Sequence, residues 1–98
     1  MADELSIGFL GAGRMATALA RGFVNAGMVD AGRLTACDIF AAARDSFAME
    51  TGGAVTGSGA DVVAQATTLF LAVKPHQVGE VLTGVSAALT PDHLIISI

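Results

Sequence analysis

The segment Ile7-Gly-Phe-Leu-Gly-Ala-Gly-Arg-Met-Ala16 joins a short apolar run to an amphipathic stretch through a glycine-rich turn. Leu5 to Leu10, preceded by the polar Asp3 and Glu4, reads as a strand covered on both faces, as in a parallel sheet. Met15, Leu19, Gly22, Phe23 and Ala26 recur at spacings of three and four, which predicts one face of a following helix, with Gly27 as its stop. The turn between strand and helix suits a pyrophosphate. Gly11 permits a sharp bend, Gly13 leaves the backbone open to a phosphate, and Ala16 is small enough for the helix to pack closely on the strand. Free backbone N–H groups and the positive end of the helix dipole then face the anion. The plainer reading is a strand-to-helix turn that only packs.

The rest of the chain repeats this alternation. Leu34 to Cys37 predicts a second strand, and Asp38 follows it, where a dinucleotide fold places an acid for the ribose hydroxyls. The gap from the glycines is slightly longer than the usual spacing of about 20 residues. Ala41 to Glu50 reads as a helix with Phe40, Ala43, Phe47 and Ala48 inward, stopped by Thr51-Gly52-Gly53. Ala54 to Thr56 predicts a very short third strand. Ser58 is a candidate N-cap for a helix over Ala60 to Ala66, with Asp61 in its first turn. Thr68 to Val73 is a continuous apolar run, hence a buried fourth strand. Lys74-Pro75 ends it, and Pro75 suits a first helical position. Val78, Val81, Leu82, Val85 and Leu89 form a clean helical stripe, and Leu94 to Ile98 a fifth strand. Alternating strands and helices imply right-handed crossovers and a parallel sheet. The expected fold is therefore α/β: a Rossmann-like, doubly wound parallel sheet in the order 3-2-1-4-5, truncated after the fifth strand. Its ligand crevice should lie at the carboxyl ends of strands one and four.

Composition narrows the class. The 98 residues make one domain at most. An apolar fraction of 53% and a mean hydropathy of +0.66 are high for a small chain, so alanines must be buried in helix–sheet contacts and some apolar surface left for a partner. A formal net charge of −4 with five Lys and Arg argues against a nucleic-acid surface. No apolar run approaches the roughly 20 residues of a membrane span, and no signal peptide is recognisable at the N-terminus. The single Cys37 has no internal disulfide partner and reads as a small buried residue. Neither His76 nor His93 has a second ligand nearby, so no metal site is expected. These features point to the cytoplasm.

Three segments carry a resemblance. Ile7 to Ala16, Ala20-Arg-Gly-Phe23 and Leu69-Phe-Leu-Ala-Val-Lys-Pro-His76 resemble the N-terminal domain of pyrroline-5-carboxylate reductase, and Leu94 to Ile98 fits that family's next strand. The resemblance covers nearly the whole chain, and its Leu-Ala-Val-Lys-Pro run is more specific than the glycine turn. It implies that a nicotinamide cofactor, often NADPH, delivers hydride to the C=N bond of pyrroline-5-carboxylate to give proline. Gly11, Ala12, Gly13, Arg14, Met15 and Ala16 would then line the pyrophosphate, and Val73, Lys74 and Pro75 would approach the nicotinamide. The family's helical domain, which makes the dimer and most of the substrate pocket, has no counterpart before Ile98. The chain thus reads as residues 1–98 of an NAD(P)-binding domain with no catalytic residue of its own, inactive in isolation. A homo-oligomer is expected of the complete protein.

The phosphate of the cofactor divides the residues from the resemblance. Resemblance points to NADPH, whereas Asp38 welcomes a ribose diol and repels a 2′-phosphate, which points to NADH. Arg44 is the nearest cation, and Gly59 stands where some relatives carry an amide near the ribose. Other residues have two readings. Lys74 could touch substrate or carboxamide, or be solvated. Arg14 could touch phosphate or be a solvated first-turn residue. Met15 could sit under the cofactor or pack in the core. Ser58 could touch adenosine or only cap, and His93 reads as surface. Two other functions stay open: another NAD(P)-linked reductase of the hydroxyacid or deazaflavin-linked type, and a nucleotide-binding module without catalysis.

Overall fold

Among the described residues, five short strands alternate with four α-helices. The strands are β1 (Ile7–Leu10), β2 (Leu34–Cys37), β3 (Ala54–Thr56), β4 (Thr68–Leu71) and β5 (Leu94–Ser97). The helices are α1 (Arg14–Asn25), α2 (Ala41–Thr51), α3 (Gly59–Gln65) and α4 (Val78–Val85). This computed structural model describes residues 5–98, so Asp3 and Glu4, read as the lead-in to the first strand, lie outside the described residues. The strands form one parallel sheet in the order β3-β2-β1-β4-β5, as expected. Leu10 pairs with both Cys37 and Leu71, and Cys37 with Thr56, so four strands end level. The segments that follow them all leave from one edge of the sheet.

The sheet separates two apolar clusters. Ile7 and Phe9 face α1 and α2, among Ala16, Ala20, Leu34, Ala36 and Phe47. Leu10 faces α3 and α4, among Val62, Val63, Leu69, Leu71 and Val85. This is the period-two alternation of a strand covered on both sides. Phe9 is fully buried and lies between Phe70 and Phe47, with ring centroids 5.2 and 5.8 Å away. Burying such a side chain contributes about 1.5–3 kcal/mol. Gly8 sets the seat of α3, because a Cβ there would stand 2.5 Å from Val62 Cγ1.

Several local expectations change. The buried face of α1 is Ala16, Thr17 and Ala20 rather than the stripe begun at Met15, and Met15, Gly22 and Ala26 are exposed. The helix lies so close to the sheet that only small side chains fit beneath it, while Leu19 and Phe23 pack at its margins. Gly27 does stop it, with φ +75°. Phe40 is exposed rather than inward, since it holds the extended N-cap position of α2 before the helix turns its face to the core. Thr51 ends that helix by donating to the Phe47 carbonyl at 2.7 Å and accepting from the Gly53 N–H at 3.0 Å. Strand β4 closes at Leu71, leaving Val73 outside it. Ser58 occupies the N-cap of α3 without a side-chain capping bond. Instead its N–H donates to Thr56 Oγ1, whose hydroxyl donates to Asp61 Oδ2 at 2.9 Å.

His93 is half-buried rather than on the surface. Its Nδ1 accepts the Thr90 N–H at 3.0 Å, so Nε2 carries the proton and donates to the Val63 carbonyl at 2.9 Å. The imidazole thereby ties the turn before β5 to the middle of α3.

Candidate functional site

Gly11 leaves β1 with φ +110°, a conformation that side chains disfavour. A Cβ at this position would meet the Ala72 carbonyl oxygen at 2.4 Å and Val73 Cγ1 at 3.0 Å. The bend is therefore wedged against the segment that leaves β4. Two hydrogen bonds fasten it to β2 on the other side. The Gly11 N–H donates to the Cys37 carbonyl, and the Ala12 N–H donates to Asp38 Oδ2, both at 3.0 Å. Asp38 Oδ1 accepts the Phe40 N–H at 3.0 Å, so the carboxylate joins the turn to the start of α2.

Gly13 is the N-cap of α1 and nothing lies within 4 Å of where its Cβ would be. The first helix has no side-chain cap and no acidic residue in its opening turn. Its first bond runs from the Thr17 N–H to the Gly13 carbonyl at 3.0 Å. The N–H groups of Gly13, Arg14, Met15 and Ala16 consequently have no acceptor among the described residues. Orphan donors at an open helix start are what an anion requires. The backbone of this turn fits a pyrophosphate.

Across the level edge, Val73 is half-buried beside Gly11, and Lys74, Pro75 and His76 are exposed. Pro75 opens a single 3-10 turn over Pro75–Gln77, the first-position role expected of it. The Lys74 N–H donates to Gln77 Oε1 at 3.3 Å, and the Gln77 N–H returns to the Lys74 carbonyl at 2.8 Å. Lys74 thus stands at the sheet edge next to the turn, with its position set by the Pro75–Gln77 backbone. A groove of about 420 Å³ adjoins the turn between α1 and α2, lined among others by Gly13, Arg14, Thr17 and Ser46. An Arg21–Glu50 ion pair of 3.3 Å borders it. Sequence alone gave no sign of this groove, because its walls are ordinary helix-surface residues.

Two sequence observations gain a cause. Gly59, where an amide was missing, is packed so tightly that a Cβ would stand 2.7 Å from Val85 Cγ1. Cys37 is half-buried, and burial pushes its thiol above the ordinary 9.0. The Gly11 N–H bond opposes this shift and the nearby Asp38 charge adds to it. No cluster of metal-ligating side chains occurs among the described residues, and no described helix is long and apolar enough to cross a membrane.

A level-ended parallel sheet with an open glycine turn between β1 and α1 defines a dinucleotide-fold domain of the Rossmann type. The chain belongs to the family described as NADP oxidoreductase, coenzyme F420-dependent, whose pattern matches residues 6–98. It is 37% identical over 94 residues to pyrroline-5-carboxylate reductase 2 of Rattus norvegicus, a match covering 95% of this chain and 29% of that protein. Its fold superposes on a pyrroline-5-carboxylate reductase from Coxiella burnetii with a TM-score of 0.90 and 28% identity, over 98% of this chain and 36% of that one. A Plasmodium falciparum pyrroline carboxylate reductase with NADP bound matches at a TM-score of 0.79 and 28% identity, over 96% of this chain and 33% of that one. The chain spans about a third of the length of the curated relatives it matches.

Proposed function

We propose that the chain is the nicotinamide-dinucleotide-binding domain of an imine reductase of the pyrroline-5-carboxylate reductase type. The observation that carries this reading is the row of unpartnered N–H groups from Gly13 to Ala16, set beside the Val73-Lys74-Pro75 segment at one sheet edge. The similarity to enzymes of that name supports the choice of reaction. In this reading Gly11, Ala12, Gly13, Arg14, Met15 and Ala16 hold the pyrophosphate and Asp38 faces the adenosine ribose. Val73, Lys74 and Pro75 border the nicotinamide. When bound, the reduced nicotinamide supplies the hydride. The chain's own residues orient it and supply no proton donor. Substrate contacts, and the interface of a homo-oligomer, belong to a further domain of the kind its relatives possess.

NADPH is favoured by the relatives and NADH by Asp38, and both enter the test. Calorimetric titration of the 98-residue chain with NADH and NADPH should give saturable binding to a single site, and absence of binding by both would refute the proposal. Reduction of pyrroline-5-carboxylate by the gene product that carries this chain then tests the reaction. The matched family's description favours a second reading, a reductase that exchanges hydride with a deazaflavin. Reduction of a deazaflavin without imine turnover would select it.

A further inference from the structure

The segment between β4 and α4 is fastened at both ends. At its start the Ala72 N–H donates to the Leu10 carbonyl at 2.9 Å, which keeps the chain against β1 after β4 has closed. At its end stands Gln77, half-buried although Lys74, Pro75 and His76 are exposed. Its Oε1 accepts the Lys74 N–H at 3.3 Å, and its own N–H donates to the Lys74 carbonyl at 2.8 Å. Lys74 is the N-cap of the Pro75–Gln77 turn and Gln77 its third residue, the position from which a glutamine reaches back to the cap N–H. Lysine has no side-chain acceptor, so the return bond falls to its carbonyl. Two dihedrals here are covalently constrained, the φ of Pro75 and the extended ψ of Lys74, which is 150°. Neither sets the peptide plane between Val73 and Lys74. The Gln77 amide does so by holding the N–H of that plane, and in a trans peptide the Val73 carbonyl then points the opposite way, away from the turn. Among the described residues no other side chain bonds to the backbone of residues 73–75.

We propose that Gln77 is a positioning residue for the nicotinamide end of the site, acting through the Val73–Lys74 peptide plane and not by contact with the cofactor. This role rests on the dinucleotide reading, which sets Val73, Lys74 and Pro75 beside the nicotinamide, and it deepens that reading. The pyrophosphate is held separately, by the N–H groups of the glycine turn. Loosening the plane should therefore disturb the orientation of the ring more than the affinity of the dinucleotide.

Three measurements on two variants test this. Gln77→Leu keeps the size of the side chain and removes the acceptor, whereas Gln77→Glu keeps an acceptor. In the cofactor-free chain the Lys74 amide of Gln77→Leu should exchange with solvent about fivefold faster or more, as expected for one lost hydrogen bond, with Gln77→Glu close to the unaltered chain. Calorimetry should show NADPH and NADH affinities changed less than about threefold, while the fluorescence of the bound reduced nicotinamide falls in Gln77→Leu alone. In the gene product that carries this chain, kcat for pyrroline-5-carboxylate reduction should fall about tenfold in Gln77→Leu, with the cofactor KM changed less than about threefold, and Gln77→Glu should restore it. An unchanged fluorescence and kcat in Gln77→Leu would overturn the proposal, as would a Gln77→Glu chain as impaired as Gln77→Leu. Should Gln77→Leu fail to fold, Gln77→Ala carries the same comparisons. If the unaltered chain binds neither cofactor, the dinucleotide reading fails. If it binds them and Gln77→Leu alters neither ring fluorescence nor kcat, only the role of Gln77 fails.

Discussion

Gly11 and Gly13 lie two positions apart and answer to different constraints. Gly11 needs the absence of a side chain to fold, since its φ is +110° and the Ala72 carbonyl blocks a Cβ. Gly13 has a φ of −76° and open space, so only a ligand requires it to be bare. Gly11→Ala should therefore cost more than about 2 kcal/mol, read from urea denaturation. Gly13→Ala should cost less than about 1 kcal/mol while weakening cofactor binding in calorimetry. Equal stability losses would refute this division. Both glycines were legible in the sequence as a turn, yet what separates them is the contact of Gly11 with Ala72, a residue far along the chain that no local pattern identifies. The same holds for Asp38, whose position was legible but whose bond to the Ala12 N–H was not. Cys37 offers a pH test. Burial raises its thiol above 9.0, so the folded state keeps the proton that the unfolded chain gives up. That contribution is complete below the unfolded value and is lost as pH rises through the folded one. The urea midpoint should fall above about pH 9, and Cys37→Ala should flatten the fall.

At the scale of elements, the strands were readable because burial on both faces makes them short continuous apolar runs. Helix faces were less so. A hydropathy stripe weights large residues, whereas close seating on a sheet selects small ones, and α1 is held by Ala16, Thr17 and Ala20. In α4 the predicted stripe is correct but shallow, with only Val85 buried. The tie from His93 to α3 escaped sequence reading because Thr90 and Val63 lie on different elements, brought together only when β5 joins the sheet. His93→Ala should cost about 1–2 kcal/mol through the two lost bonds, with an unchanged denaturant slope. A cost near zero would show that water replaces both partners.

The molecule as a whole is a sheet with a separate apolar cluster on each side, one under α1 and α2 and the other under α3 and α4. Its order, 3-2-1-4-5, was legible once the strands were counted, because a doubly wound sheet admits few alternatives. Saturating dinucleotide at about 100 times its dissociation constant should stabilise the chain by about 2.7 kcal/mol, measurable as a shift in Tm. The two clusters also carry a kinetic consequence. Each cluster is a natural unit of local opening, and the sheet lies between them. A ligand laid along the level edge, from Asp38 beyond β2 to Lys74 beyond β4, would clamp both units at once. Amide protons of α2 and α4 should exchange with solvent at different rates in the free chain, then slow together when the dinucleotide binds. The cofactor would then act as the clasp that makes two half-domains open as one.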